Sequence, residues 1–291
     1  MDQAERLRSL ISKRRNIPAE ERTETMRVIS ITSGKGGVGK TNFALNLAIY
    51  MARTGKRVVI VDADFGLANV EVLLGINPKY TFNDVLTGEV SVKDALSDGP
   101  EGLMFLSGGS GMIQLADISE SQIDVLLNSF NQLEELTDIL LIDTGAEISK
   151  SVTNLLRASH ETIVVTTSDP TSITDAYAVI KAMSDDNPEP PQLKIVINRV
   201  DSQKEGREVY DRLRRVCDRF LNVKPISLGY IPYDKNLSRA VKSQEPVALM
   251  FPNSESSRSI ESIGLKLLDV EEKKSTGITS FIGRLMGLMK N

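Results

Sequence analysis

The chain has 291 residues, 41% of them hydrophobic and 25% charged, a balance that suits one large α/β domain or two small ones and excludes disorder. One cysteine (Cys217) and one histidine (His160) exclude an internal disulfide, a cysteine-cluster zinc or iron–sulfur site within one chain, and histidine-rich metal chemistry. The net charge of −4 divides unevenly, with +3 on residues 1–15, +4 on residues 273–291 and −11 on the body between, which points to interaction segments at both ends and away from a broad DNA-binding face.

In chain order, residues 2–15 predict a short helix with a narrow apolar stripe of Ala4, Leu7 and Ile11, followed by an Asn-Ile-Pro break and a polar linker. From Met26 to Val270, β-branched runs alternate with longer helical patterns, the signature of a parallel sheet. Strands are expected at Arg27–Thr32, Arg57–Asp62, Leu103–Leu106, Asp138–Asp143, Glu161–Thr166, Leu193–Asn198 and Ile226–Tyr230, and helices at 40–54, 120–136, 148–158, 171–184, 202–221 and 255–271. Continuous apolar runs such as Ile139-Leu140-Leu141-Ile142 suit strands covered by helices on both faces. The fold class is therefore α/β, a doubly wound, predominantly parallel sheet in one domain (26–272). A segment at 1–25 precedes it, and a second linker with a C-terminal piece at 273–291 follows. No run of about 18 uncharged apolar residues offers a membrane span, and no apolar leader follows the first residues.

The most informative stretch is Gly34-Lys35-Gly36-Gly37-Val38-Gly39-Lys40-Thr41, directly after the first strand and opening the first long helix. It satisfies G-x-x-x-x-G-K-[S/T] in the strand–loop–helix setting that the motif requires. The glycines let backbone N–H groups turn inward around a phosphate, and the helix N-terminus adds partial positive charge. Lys40 is expected on the β- and γ-phosphates of a nucleotide and the Thr41 hydroxyl on Mg²⁺. Val58–Asp64 ends a strand in two carboxylates, Asp62 and Asp64, at the edge where such sheets bind ligands, and Asp62 is expected to help orient the Mg²⁺ shell. Ile139–Asp143 is four apolar residues ending in an acid, the Walker B pattern, so Asp143 is expected to reach Mg²⁺ through water. Asn198 closes a strand with an amide that offers both a donor and an acceptor to an adenine edge. Arg199 and Val200 follow it rather than the residues of a guanine-reading N-K-x-D motif, so ATP is favoured over GTP.

These motifs together resemble the MinD/ParA ATPases with a deviant Walker A loop, K-G-G-x-G-K-[S/T], and the resemblance covers nearly the whole chain. It implies that Lys35 reaches the nucleotide of a second protomer, that Asp64 in switch I positions the attacking water, and that Thr144-Gly145-Ala146 is switch II, where Glu147 stands in place of a usual second glycine. Gly229-Tyr230-Ile231-Pro232-Tyr233-Asp234 is similar to the family's G-x-I-P-x-D stretch, which places Pro232, Tyr233 and Asp234 with Asn198 and Arg199 around the base. Thr166–Tyr177 looks like the T-x-P-E-x-T-S-I-x-D-A-Y signature of the MinD-like branch, with Ser168 and Asp169 as mild departures. Asp2-Gln3-Ala4-Glu5-Arg6-Leu7-Arg8 resembles the D-Q-A-x-x-L-R segment of the FlhG-type flagellar-number regulators (FleN, YlxH). There it implies a contact, through Asp2, Gln3, Leu7 and Arg8, that stimulates the GTPase FlhF.

The last segment has a physical reading of its own. At about 100° per residue, Ile278, Phe281, Ile282, Leu285, Met286, Leu288 and Met289 share an arc of about 160° opposite Arg284 and Lys290. Such a helix is too short to span a bilayer but suited to lie in an anionic membrane surface. The same stripe also fits a dock on the body's core, and exchange between the two would unite the readings. Gly283 and Gly287 on the polar side weaken the isolated helix by about 1 kcal/mol each.

The expectations are thus a Mg·ATP-dependent homodimer with slow hydrolysis that acts at the inner face of the cell membrane. By resemblance it controls flagellar number and placement through FlhF and switch-ring proteins, without specific DNA. A DNA-partition or septum-site ATPase shares the core and is the alternative, but the former would need a basic body surface. A metabolic or cluster-handling enzyme would need more cysteine. A bacterial tyrosine kinase would need a tyrosine-rich tail, and residues 273–291 contain no tyrosine. An inactive adaptor is the remaining reading, which Glu147 keeps open. Cys217 is expected to be a helix-packing residue, and His160, just before a strand, has no partner cluster that suggests catalysis or metal binding.

Overall fold

In the computed structural model, which describes residues 26–64, 69–109, 120–185, 190–269 and 277–289, the alternating pattern forms a single α/β domain. Its strands are β1 (Arg27–Thr32), β2 (Val58–Ala63), β3 (Ser97–Asp98), β4 (Met104–Leu106), β5 (Ile139–Thr144), β6 (Glu161–Thr166), β7 (Gln192–Val200) and β8 (Ile226–Pro232). The helices are α1 (Lys40–Arg53), α2 (Asn69–Leu74), α3 (Phe82–Leu86), α4 (Val92–Ala95), α5 (Glu120–Leu136), α6 (Lys150–Ala158), α7 (Pro170–Ser184), α8 (Gln203–Leu221), α9 (Lys235–Lys242), α10 (Val247–Met250), α11 (Glu255–Asp269) and α12 (Gly277–Met289). All strands join one sheet in the order β3-β4-β2-β5-β1-β6-β7-β8. Every neighbouring pair is parallel except β3–β4. Parallel neighbours need crossover helices, and these fall on both faces.

The central strands show how the sequence builds two faces at once. Successive side chains of a strand point to opposite sides. Ile29 and Ile31 of β1 and Leu141 of β5 pack with Phe43 and Leu47 of α1 and Ile260 and Ile263 of α11. Val28, Leu140 and Ile142 pack on the other face with Leu126 and Phe130 of α5 and Leu155 of α6. A third cluster joins β6 and β7 to α7 and α8 and includes Cys217, fully buried, its thiol pushed up to about 11 by burial. Cys217 is thus a packing residue, as expected.

At the N-terminal ends of the strands, Arg27 donates to Glu161 Oε1 through Nε and Nη2 at 3.0 and 2.7 Å, and Lys194 ion-pairs with Oε2. Arg27 also donates to the Leu267 carbonyl at the end of α11 at 3.1 Å. Burial by itself would raise the Glu161 pKa, but the two cations outweigh it and hold the carboxyl below the usual range. This cluster ties β1, β6, β7 and α11 together in a place where an unpaired charge would be costly.

The C-terminal segment is docked on the body, one of the two readings that its apolar stripe allowed. Helix α12 packs into the second core face: Ile278 and Phe281 are fully buried, Leu285 nearly so, and Phe281 meets Phe130 edge-to-face with ring centroids 5.2 Å apart. The physical reason lies in the stripe itself. An apolar arc of that width left in water would forfeit burial worth about 25 cal/mol per Å², and the groove between α5 and α6 takes it up. Gly287 remains exposed on the opposite side, as the helical projection requires. No described helix is long and apolar enough to cross a membrane.

Smaller differences follow from pairing. β5, β7 and β8 run one or two residues past their expected ends because parallel partners continue the ladder, for instance Val200 beside Pro232. The short elements α2, α3, α4, α9, α10 and β3 fell below the length at which hydrophobic periodicity can be read. Residues 1–25, with Asp2, Gln3, Leu7 and Arg8, lie outside the described residues, as do Phe65 and Gly66.

His160, at the start of β6, is mostly buried and accepts the Val28 N–H on Nδ1 at 3.0 Å. Burial, and then the nearby charge of Arg284, lower its pKa to about 4. The folded chain therefore refuses a proton that the unfolded chain takes up near 6.5, so this contribution to stability is complete above pH 6.5 and drains away as pH falls toward 4. The imidazole resonances of His160 are expected to titrate near pH 4. In the His160→Gln variant the unfolding free energy should vary less with pH across that window, and a midpoint near 6.5 would contradict the burial described.

Candidate functional site

The loop between β1 and α1 is shaped by glycines. Gly37 and Gly39 have φ of 78° and 92°, a left-handed backbone that side chains rarely adopt. Gly39 stands in the N-cap position of α1 without a side-chain cap, so the first N–H groups of α1 are left to an anion. Gly34 is fixed by crowding: a Cβ there would lie 2.2 Å from the Asp175 carbonyl oxygen in α7. The loop is thus wedged against α7 on one side. On the other it is tied by Asn198 Nδ2, which donates to the Val38 carbonyl at 2.7 Å.

Lys40 is 6% exposed, and its Nζ lies 2.7 Å from Asp143 Oδ1. Asp143 is fully buried at the end of β5, and its second oxygen has no hydrogen-bond partner among the described residues. Burial raises its pKa, with Lys40 and Thr41 acting against the rise. An orphaned, buried carboxylate oxygen beside a threonine hydroxyl is a fitting donor set for a hard divalent cation. Thr41 and Asp143 therefore fit the Mg²⁺ role expected of them.

Asp62 does not fit that role in the same way. Its Oδ2 accepts the N–H groups of Asn69 (2.8 Å) and Val70 (3.0 Å), and its Oδ1 accepts that of Asp64 (3.1 Å). The carboxylate thus anchors the start of α2 rather than facing a cation. It stands opposite Asp143 in the β2–β5 ladder. Burial above all, and then Asp143, raise its pKa to about 6 against the pull of those N–H bonds. The pairing ladder decides this role, and it could not be read from a strand-end motif alone.

Asp64 is partly exposed at the same edge. Its Oδ2 accepts from Asn69 Nδ2 at 3.1 Å, and its Oδ1 lies 3.5 Å from where a Cβ on Gly145 would be. Glu147 is exposed just beyond. Lys35 is also exposed, with Nζ donating to the Thr171 hydroxyl at 2.9 Å. Lys35, Lys40, Thr41, Asp62, Asp64 and Asp143 therefore gather at one edge of the sheet, the carboxyl ends of β1, β2 and β5.

The expected base-lining residues divide. Arg199 sits on a bulge of β7 with φ of 56° and is exposed, and Tyr233 is 57% exposed beside Pro232. Asn198 is 3% exposed, and its buried amide donates to the loop at the Val38 carbonyl and accepts the Arg199 N–H. It therefore holds the phosphate loop rather than offering its edge to adenine. Asp234 caps α9 through the Asn236 N–H and accepts from Ser256 at 2.8 Å. Burial would raise its pKa, but those bonds prevail and keep it below the usual range, so its role too is structural. Motif reading missed Asn69 and Ser256, and it placed Thr171 in a signature without giving it the contact with Lys35. The polar residue opening α2, five places after Asp64, offered a signal for Asn69.

Residues 29–247 match the family described as CobQ/CobB/MinD/ParA nucleotide binding domain. Among curated proteins, the chain is 40% identical over 242 residues to the antiactivator FleN of Pseudomonas aeruginosa, covering 83% of this chain and 86% of FleN. It is 35% identical over 294 residues to the flagellum site-determining protein YlxH of Helicobacter pylori, covering 98% of each. Among solved structures, the cell division ATPase MinD of Pyrococcus furiosus superposes with a TM-score of 0.67 at 25% identity, over 83% of this chain and 98% of MinD.

Two variants check the loop geometry. Gly34→Ala should lower stability by about 1–3 kcal/mol through overpacking against α7, read by chemical denaturation without nucleotide, while Gly36→Ala, with nothing within 4 Å, should be close to neutral. Lys40→Ala should lose ATP binding and turnover, and a variant that retains both would refute the phosphate-site assignment.

Proposed function

The chain belongs to the CobQ/CobB/MinD/ParA nucleotide-binding family, and on that premise we propose that it is a MinD-like ATPase of the FleN/YlxH kind that regulates flagellar number and placement. In this reading two copies close face to face around two nucleotides, hydrolyse ATP slowly and use the nucleotide state to govern a contact with the membrane.

The residues assign themselves parts in that reaction. ATP enters with its phosphates against the N–H groups of residues 36–41 and the N-terminus of α1. Lys40 then exchanges Asp143 for the β- and γ-phosphates, which frees the carboxylate. Thr41 and Asp143 would hold Mg²⁺, which when bound would neutralise charge on the phosphate oxygens. Lys35 leaves Thr171 for the phosphates of the facing protomer, adding a cation where charge develops. Asp64 orients the attacking water. Gly145, beside it, has no side chain of its own at that point, which lies between the Asp64 carboxylate and the Glu147 side chain.

The observation that carries the switch is the seat of α12. Asn154 of α6 donates to the Leu288 carbonyl at 3.2 Å, and α6 begins five residues after Gly145. A shift of the 144–149 loop on nucleotide binding would pass through α6 to the helix that carries the apolar stripe. Once released, that stripe, with Ile278, Phe281, Ile282, Leu285, Met286, Leu288 and Met289, fits the interface of an anionic bilayer, with Arg284 and Lys290 toward the lipid head groups. Docked and membrane-bound are then two populations, and ATP shifts the balance. FlhF, reached through Asp2, Gln3, Leu7 and Arg8, and the flagellar switch ring are the proposed partners.

Co-sedimentation with anionic liposomes tests the proposal. The full chain should pellet with ATP and Mg²⁺ and remain largely in the supernatant with ADP or no nucleotide, and removal of residues 278–291 should abolish pelleting while sparing nucleotide affinity. Equal pelleting in all states, or pelleting of the truncated chain, overturns the switch. Removal of residues 1–15 should spare ATP turnover and abolish stimulation of FlhF GTPase activity.

A further inference from the structure

Helix α12 is held in its groove unevenly. At one end Glu134 of α5 accepts the Ile278 N–H on Oε1 at 3.4 Å, and at the other Asn154 of α6 donates to the Leu288 carbonyl at 3.2 Å. Each bond satisfies a backbone group that a helix end leaves without a partner inside the helix. Phe281, set edge-to-face on Phe130, fills the first part of the seat. Farther along, the fit is incomplete. A gap of about 40 Å³ lies beside Leu285, its walls including Phe130 and Leu133 of α5, Leu155 of α6, Phe82 of α3 and Val61 of β2. All the residues that line it are apolar, and all but Val61 are buried. The space has room for a water molecule but no polar side chain to bind one, so it is dry. The bonds at both ends and the ring pair fix the height of α12, and the helix cannot settle inward to close the gap.

We propose that this gap is what keeps α12 releasable, an inference that rests on the reading of α12 as a membrane-directed switch given above. Side chains around unfilled space lose the dispersion contacts that close packing supplies. Only the docked state encloses this space, so the loss falls on the docked population alone. At the usual penalty per unit of cavity volume, a gap of this size shifts the balance toward release by about fivefold. In the interface of a bilayer Leu285 suffers no such loss, because fluid acyl chains close around it. The polar bonds at the two ends act in the opposite sense. They select one register in which α12 returns to its seat, while the gap between them limits how firmly the seat holds it.

The test fills, enlarges and probes the gap in the full chain. Val61→Ile adds one methylene from the sheet side, away from the stripe that meets lipid. It should lower the ratio of liposome-bound to free chain in ATP and Mg²⁺ by about threefold. Leu133→Ala enlarges the gap from α5 and should raise that ratio, including without nucleotide. Under xenon pressure, the methyl resonances of Leu285 and Leu133 in the nucleotide-free chain should shift, and they should shift less in Val61→Ile, a readout that involves no lipid. Absence of any xenon shift in the wild-type chain overturns the proposal, as does liposome binding by Val61→Ile equal to or above the wild-type level. Xenon entry together with unchanged binding of Val61→Ile removes this proposal and leaves the switch standing. A wild-type chain that admits xenon yet pellets with liposomes in no nucleotide state removes the switch and this proposal with it, so the two failures are told apart.

Discussion

The ion pair between Lys40 and Asp143 is the point on which the arrangement turns. Both groups are almost wholly withdrawn from water, and a buried charge without a partner costs several kcal/mol. The pair forms only because β1 and β5 are parallel neighbours at the centre of the sheet. One strand ends in the loop that leads to α1 and the other ends in the carboxylate, on the same edge. Any nucleotide must offer both groups something at least as good, and a phosphate with a divalent cation does so at once. The site therefore sits in self-neutralised form, in which its two strongest charges restrain each other.

Around that pair, polar side chains serve as structure more often than a motif would suggest. Asp62, Asn198 and Asp234 each stand at the end of a strand at the carboxyl edge, where ligands bind in such sheets. Yet each is consumed by backbone groups: the start of α2, the phosphate loop, and the caps of α9 and α11. The economy is reasonable, since buried backbone N–H and carbonyl groups must be satisfied by something. A loop that must accept a nucleotide without collapsing needs its scaffold held from behind.

Most of this was legible in the residues. The apolar run Ile139–Ile142 ending in Asp143, and Gly34–Thr41 after a β-branched strand, located both halves of the central ion pair, because each motif carries its own geometry. What could not be read is what arises between segments distant in sequence. Asp62 and Asp143 face each other only through the β2–β5 register. Asn198 meets Val38 only after β7 has been placed two strands from β1. The seat of α12 was legible as a stripe but not as a location, because an apolar face states that it must be covered and is silent about what covers it.

The two attachments that the proposed switch undoes differ in kind, and this would set an order in time. Lys35 is parked on Thr171 by one exposed hydrogen bond, worth about 1 kcal/mol net, and leaves it by side-chain rotation on a picosecond-to-nanosecond scale. Helix α12 leaves only by withdrawing Phe281 and its neighbours from the core as a unit, the kind of collective motion that takes microseconds to milliseconds or longer. The phosphate loop is thus the quick reporter of its surroundings and the C-terminal helix a slow one. In the proposed switch, encounters too brief for the slow step would pass without consequence, and the fold would act as a low-pass filter that answers only to nucleotide states that persist.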